Sequence, residues 1–326
     1  MDTVYWQVDP NQPSDQIIQQ AARLLKDGEL VAFPTETVYG LGADAFSATA
    51  VGKIYAAKNR PPINPLLVHI ARLDQVTQLA SEVPDAAWLL MKRFWPGPLS
   101  LIVPASSAVP GIVTAHGSKV GLRMPSHPVA LALIEEAGPL AAPSANLSGR
   151  PSPTTAQHVK DDLHGRIAAV LDAGPTGLGI ESTVLDMTGS RIRLLRSGGI
   201  SHTELERVLE QDIVVSTAEN SPHYQTAVQV LLAESDNTLL QITSQYLSQG
   251  KRVAVVHNNL SPAHKIDGVG VFKLHVDQQG ADVYQIMREA ERQQIEVLVF
   301  APIPKTAEGL TTAVVDRIYK ASQKSV

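Results

Sequence analysis

Apolar positions along the chain alternate between one-sided helical stripes and short continuous runs. From Ser14 to Lys26, Ile17, Ile18, Ala21, Leu24 and Leu25 share one face before Gly28, which predicts an amphipathic helix. The run Leu30-Val31-Ala32 then reads as a buried strand, and Pro34 ends it. Ser47 is placed to cap a helix carrying Val51, Ile54 and Tyr55 and ending near Lys58. Leu66–Ile70, Leu99–Val103, Val120–Met124 and Leu140–Ala142 read as strands, with helices over Pro84–Trp95 and Pro128–Ala137. Strands near Ala168–Asp172, Thr183–Met187 and Arg191–Leu195 lead to Ser201-His-Thr-Glu204, a capping box opening a helix through Leu209.

Near Val215 this pattern breaks. Residues 216–226 are polar and without period, so they are expected to link a first domain, 1–215, to a second, 227–326. The second alternates regularly: strands Val228–Ala233, Arg252–His257, Val271–Val276 and Val297–Ala301, helices Asn237–Gln249, Ala281–Gln293 and Leu310–Ala321. Strand–helix alternation predicts a small parallel-sheet domain. It carries no glycine-rich fingerprint after its first strand, which argues against a dinucleotide site there.

Composition narrows the function classes. A chain of 326 residues with 44% hydrophobic and 18% charged content has ample core for two globular domains. Net charge is -5; residues 1–216 hold 17 Lys+Arg against 21 Asp+Glu and the rest 10 against 11, so neither part is a polycation. Any contact with RNA or a nucleotide must therefore rest on a local basic pocket. The absence of cysteine excludes disulfides, thiolate metal sites and a Cys nucleophile. No secretory pattern opens the chain and no apolar run nears the ~20 residues of a membrane helix, so a cytoplasmic location away from the membrane is expected.

The candidate chemistry lies in loops after strands. Phe33-Pro-Thr-Glu-Thr-Val-Tyr-Gly-Leu-Gly42 turns polar where a sheet would open into a cleft, although a plain turn would also use its Pro and Gly. Lys58-Asn59-Arg60 closes a helix, where the dipole favours cations without any function. The prolines of Pro61-Pro-Ile-Asn-Pro65 then stiffen a loop holding Arg60 and Asn64, which suits a polyphosphate. His69, alone on an alternating strand, fits a structural role as readily as a catalytic one. Arg123 is a charge in an apolar strand and needs a partner, either an anionic ligand or an Asp or Glu. Pro143-Ser-Ala-Asn146, with Ser148, Ser152 and Thr154, is rich in hydroxyls but has no G-x-S-x-G setting, and Thr154 could cap the next helix. Gly174–Thr183 is glycine-rich without the Gly-Lys-Ser/Thr ending of a phosphate loop. Neither a His-Glu-x-x-His motif nor an acidic triplet marks a protein-built metal cage.

Taken together, Phe33–Gly42, Lys58–His69, Trp95-Pro-Gly-Pro-Leu-Ser100, Val120–Pro125, Ala142–Gly149, Gly179–Asp186 and Leu194–Ile200 resemble the threonylcarbamoyl-AMP synthase family in its two-domain form. The resemblance implies an α/β protein: a YrdC-like twisted open mixed sheet with flanking helices, plus a smaller Rossmann-like accessory domain with a parallel sheet. It implies a nucleotidyltransferase that condenses L-threonine, bicarbonate and ATP into threonylcarbamoyl-AMP and pyrophosphate. Mg²⁺ would arrive on the ATP. A downstream threonylcarbamoyl-transferase complex would pass the group to tRNA, and a direct tRNA contact is left open. By the resemblance, Thr37, His69, Arg123, Ala142 and Ser182 hold threonine; Arg60, Asn64, Lys119, Ser144, Ser152 and Arg196 hold ATP, with Lys58 beside them. Lys58, Arg60, Ser144 and Asn146 match the family's catalytic tetrad. Lys119 departs from the pattern, standing where the family usually has threonine, and the linker keeps only Ser221-Pro-His-Tyr224 of a longer segment expected to fold over the site. Two other readings remain. One is a double-stranded RNA-binding module without catalysis, which the net charge of the first domain disfavours. The other is carbamoyl transfer, expected to come with zinc fingers that a chain without cysteine cannot build.

Overall fold

A computed structural model describes residues 2–216, 226–258, 268–276, 281–303 and 309–322. They form two compact units. The first comprises residues 2–148, 152–177 and 181–216; the second takes 149–151, 178–180 and the described residues from 226 onward. The expected linker, 216–226, lies outside the described residues except at its two ends, and the lid role expected of His223 and Tyr224 lies outside them too.

In chain order the first unit contains β1 (Val4–Gln7), α1 (Asp15–Lys26), β2 (Val31–Phe33), β3 (Gly40–Asp44), α2 (Ala48–Lys58), β4 (Leu67–His69), α3 (Val76–Leu79), α4 (Asp85–Phe94), β5 (Leu99–Pro104) and β6 (Lys119–Arg123). It continues with α5 (Pro128–Ala137), β7 (Leu140–Ala141), α6 (Ala156–Leu163), β8 (Ala169–Asp172), β9 (Thr183–Asp186), β10 (Arg193–Arg196), α7 (His202–Leu209) and β11 (Val214–Val215). The strands form one mixed sheet in the order β1-β8-β2-β3-β7-β4-β6-β5-β9-β10-β11. This is the open mixed sheet that the motifs imply.

Strand alternation divides the core between the two faces of this sheet. Ala32, Leu41, Val68, Leu101, Val120, Leu122 and Leu185 join one cluster with Val51 and Ile54 of α2 and Leu90 and Met91 of α4. Val31, Phe33 and Leu140 point the other way, into a cluster with Ile18, Ala21 and Leu25 of α1 and Leu133 and Ile134 of α5. On β6 the consequence is functional. Val120 and Leu122 serve the first cluster, so Lys119, Gly121 and Arg123 share the opposite face.

Local sequence explains most boundaries. Ser47 caps α2 by accepting from Ala50 N, and Ser201 caps α7 by accepting from Glu204 N. Thr154 does not cap α6; that is done by Thr155, which accepts from His158 N. Two strands are less evident from pattern. The β1 segment, Val-Tyr-Trp-Gln, is short and only half-buried, and β3 sits inside the Gly-rich stretch that reads as a turn. Gly40 and Gly42 are needed there because a Cβ on either would lie 3.3 or 2.9 Å from the Phe33 ring.

In the second unit β12 (Gln229–Leu232), α8 (Asp236–Ser248), β13 (Val253–Asn258), β14 (Gly270–Leu274), α9 (Val283–Arg292), β15 (Val297–Phe300) and α10 (Leu310–Ser322) follow one another. Its sheet is parallel throughout, in the order β12-β15-β13-β14. Both faces of β13 and β15 are buried, as expected for parallel strands flanked by helices.

Candidate active site

The site begins where β2 ends. Thr35 accepts from the backbone N–H groups of Thr37 and Val38 at 3.2 Å and donates to the Val38 carbonyl at 2.6 Å. This hydroxyl-stapled turn sets Thr37 fully buried, 2.8 Å from the Thr35 oxygen. Arg123, at the end of β6 and only 3% exposed, converges on the same point. Its Nη1 donates to Thr37 Oγ1 at 2.9 Å and its Nε to the Gly97 carbonyl at 3.3 Å. Its Nη2 lies 2.7 Å from Glu36 Oε1, so the strand arginine has the acidic partner that its burial demands.

His69 is paired with Arg123 across the parallel β4–β6 ladder. Burial first, then the adjacent Arg123 charge, hold its imidazole well below the usual pKa, so it is neutral at neutral pH. Its Nδ1 is buried without a hydrogen-bond partner among the described residues. On the other flank Ser182 shares a 2.8 Å hydrogen bond with Ser100, the residue after Leu99 on β5. Arg196 donates from Nη2 to Ser182 Oγ and from Nε to its carbonyl, both at 3.0 Å. The β9–β10 register shifts between Leu194 and Arg196, an irregularity that re-aims the strand end carrying this guanidinium.

A second cluster forms around α2's C-terminus. Asn59 adopts a left-handed C-cap, with φ of 52°, which turns the chain sharply into the proline loop. Arg60 Nη2 donates to the Pro65 carbonyl at 3.2 Å, while its buried Nε has no partner among the described residues. Tyr55 braces the loop by donating to the Asn64 carbonyl at 3.0 Å. Lys58 is 1% exposed and its ammonium donates to the carbonyls of Ser144, at 2.5 Å, and Asn146. Lys58 thus fixes the Ser144–Asn146 loop through the backbone. The Ser144 hydroxyl donates to Asn146 Oδ1 at 2.5 Å, Ala142 N donates to the Leu67 carbonyl at 2.8 Å, and Ser152 donates to Glu181 at 2.6 Å.

Lys119 lies at the far end of β6 from Arg123, about 13 Å along the strand at ~3.3 Å per residue. It lines a cavity of about 720 Å³ with Pro104, Asp186, Thr188, Arg191 and Arg193. Lys119 Nζ is 3.1 Å and Arg193 Nη2 3.3 Å from Asp186 Oδ2. Burial alone would raise the Asp186 pKa. The Thr188 hydroxyl and N–H and the Lys119 ammonium outweigh it and bring the group down to about 2.

Comparison with known proteins places this arrangement. A family model described as Telomere recombination, covering Sua5, YciO and YrdC, matches residues 23–198. A second, described as Threonylcarbamoyl-AMP synthase, C-terminal domain, matches residues 200–323. The threonylcarbamoyl-AMP synthase of Bacillus subtilis is 41% identical over 99% of this chain and 98% of its own. The chain belongs to the threonylcarbamoyl-AMP synthase family. The Pyrococcus abyssi relative of that name is 38% identical over 94% of both chains. The crystal structure of P. abyssi Sua5 complexed with L-threonine superposes with a TM-score of 0.90 at 37% identity, over 99% of this chain and 98% of that one. The synthase fold, large mixed sheet and separate parallel sheet together, is thereby established.

Within this family fold, the expected threonine-binding residues Thr37 and Arg123 touch, His69 is the strand neighbour of Arg123, and Ser182 is tied to Arg196. Ala142 and Ser144 follow β7, beside β4. Of the expected ATP residues, Arg60 reaches the Asn64 carbonyl, the Ser144 carbonyl is held by Lys58, Ser152 is bound to Glu181, and Lys119 stands apart at the cavity. Thr35, Glu36 and Ser100 also join this arrangement. Each lies within a motif of the sequence, and only the β6 arginine's need for an acid points to Glu36.

Gly198 generates one prediction. A Cβ there would lie 2.3 Å from the Ser182 carbonyl carbon and the Thr183 nitrogen, so the backbone itself would have to move. Gly198→Ala is expected to cost about 1–3 kcal/mol, read from urea unfolding, and to lower activity by displacing Ser182. Asp186 generates another. A carboxylate with a pKa of about 2 when folded and 3.8 ordinarily contributes stability that is complete above pH ~4 and lost as pH falls toward 2. Asp186→Asn should therefore flatten the fall in urea midpoint between pH 4 and 2, measured against wild type.

Proposed function

We infer that this chain condenses L-threonine, bicarbonate and ATP into threonylcarbamoyl-AMP and pyrophosphate, as a nucleotidyltransferase. The observation that carries the reading is the buried Arg123 guanidinium beside the Thr37 hydroxyl and the neutral His69 imidazole. A guanidinium meets a carboxylate, and a neutral imidazole with an open nitrogen meets a hydroxyl, so the trio matches both ends of threonine. The full-length synthase relatives support the same activity and lend nothing to an RNA-binding module without catalysis.

The reaction asks for positioning more than for strong acid or base. Threonine's amine adds to bicarbonate, losing water, to give a carbamate that water would soon decompose. The carbamate oxygen then attacks the α-phosphorus of ATP, and pyrophosphate leaves on the opposite side. Holding the two reactants in line supplies most of the acceleration. Arg60 and Arg196 are the cations for developing phosphate charge, while Asn64, Ser144 and Ser152 orient the nucleotide. Lys58 serves by fixing the Ser144–Asn146 carbonyls. The cavity at Lys119, on the same face of β6 as Arg123, is where this reading puts the nucleotide's far end.

We keep Mg²⁺ on the ATP, because the residues assigned here to ATP, Arg60, Asn64, Ser144, Ser152 and Arg196, are cationic or neutral and match phosphate oxygens better than a metal. The adenylate is a reactive mixed anhydride, so a threonylcarbamoyl-transferase complex acting on tRNA is its consumer in this reading. A direct contact between this chain and tRNA belongs to the same proposal. No described helix is long and apolar enough to cross a membrane, and we place the chain in the cytoplasm, where ATP and tRNA are.

Pyrophosphate release from ATP tests the reading. Release should require threonine and bicarbonate together, and equal release after bicarbonate is stripped would overturn it. Arg123→Ala should raise the threonine KM by roughly 10-fold or more and leave the ATP KM near wild type, since a charge-assisted contact is worth about 1.5–3 kcal/mol. A parallel rise in both constants would instead make Arg123 nucleotide-facing.

A further inference from the structure

The Arg123–Glu36 pair is close but incomplete. Arg123 Nη2 and Glu36 Oε1 lie 2.7 Å apart, yet neither atom makes an aligned hydrogen bond among the described residues, and both are buried. Their other polar atoms are occupied. Arg123 spends Nη1 on Thr37 and Nε on the Gly97 carbonyl, while Glu36 Oε2 accepts from Ser126 N at 3.1 Å. The pair is thus anchored at its outer atoms, and its two facing atoms are held near each other without their directional bond being made. An ion pair whose facing atoms lack that directional bond keeps room for a further acceptor at Arg123 and a further donor at Glu36.

A free α-amino acid offers what is missing. Its carboxylate and ammonium are adjacent, of opposite sign, and one is an acceptor while the other is a donor. We propose that Glu36 is the counter-ion for the substrate's α-ammonium, so that Arg123 and Glu36 together read the zwitterion of threonine. The proposal rests on the threonine-binding reading above and adds to it a residue that it did not use.

Charge arithmetic favours this over simple competition. If the substrate carboxylate displaced Glu36 from Arg123 and nothing replaced it, two buried carboxylates would share one guanidinium, a strongly unfavourable arrangement. With the ammonium seated against Glu36 Oε1, each buried charge keeps an opposite neighbour and the site stays neutral overall. The arrangement also selects substrates. A hydroxy acid with the same carbon skeleton satisfies Arg123 but leaves Glu36 facing a second carboxylate, so the site discriminates for the nitrogen that must become the carbamate. The other titratable groups nearby are His69, which is neutral, and His127, which caps α5 and whose pKa is lowered by burial against the opposing pull of Glu36. Neither supplies a second anion for the ammonium.

Calorimetric binding to the full chain tests this, with two probes: L-threonine, and the 2,3-dihydroxybutanoate of matching configuration, which lacks the amine. Wild type should prefer threonine by at least ~10-fold, the size of one charge-assisted contact. Glu36→Gln keeps the shape and an acceptor oxygen but removes the charge. It should weaken threonine by a similar factor and leave the dihydroxy acid bound as well as before or better. Threonine binding equal to or tighter than wild type in Glu36→Gln would show that Glu36 only competes for Arg123, and would overturn the proposal. So would a wild type that binds both probes equally, a result that needs no variant to fold. A wild type that binds neither probe would overturn the threonine reading itself, and this proposal with it.

Discussion

Arg123 has 3% of its surface exposed, and taking a guanidinium out of water costs several kcal/mol unless every N–H is met by an acceptor or an opposite charge. The acceptors come from two separate places in the chain. The Gly97 carbonyl is offered by the turn after α4, which contains the cis Trp95–Pro96 peptide and is tied to β6 by Gly97 N donating to the Met124 carbonyl. Thr37 and Glu36 are offered by the turn after β2, stapled by the Thr35 hydroxyl. Each of these turns would be an ordinary connection if Arg123 were a leucine. With Arg123 present they are the walls of the proposed threonine site, held in place by the cost of leaving a buried charge unmet.

Lys58 repeats the principle at the other end. It too is almost fully buried, and backbone carbonyls of the Ser144–Asn146 loop take its ammonium. In the fold Lys58 braces the loop that carries Ser144 and Asn146. Arg60, one left-handed residue further on, keeps its guanidinium at the proline loop and leaves a buried Nε open. The division of labour between the two cations follows from direction. Lys58 ends a helix pointing into the core, and Asn59 turns the chain so that Arg60 points elsewhere.

The second unit obeys simpler rules. Its strands are parallel, the central β13 and β15 are buried on both faces and rich in Val, Leu and Ala, and its helices are amphipathic, so pattern alone locates nearly every element. The first unit was legible to the same degree wherever a run was apolar or a helix had a hydroxyl cap, as at Ser47 and Ser201. It was less legible at β3, where Gly40 and Gly42 look like a turn. They form a strand there because the Phe33 ring occupies the space that side chains would need. Propensity reads those glycines as flexible; packing makes them necessary.

What the sequence by itself determined was therefore the set of parts: the strand ends that open into polar loops, the order of the motifs, and the demand of a strand arginine for an acid. Those properties are local, or follow from order along one chain, and a period or a spacing carries them. Only the tertiary structure decided which parts meet. Glu36 is 87 positions from Arg123 and Ser100 is 82 from Ser182, and nothing in either segment alone names its partner. Strand register sets those meetings, since β4 beside β6 puts His69 level with Arg123, and β5 beside β9 brings Ser100 to Ser182. The same register separates Lys119 from Arg123 by the length of β6, and so spreads one proposed substrate site along a single face of the sheet.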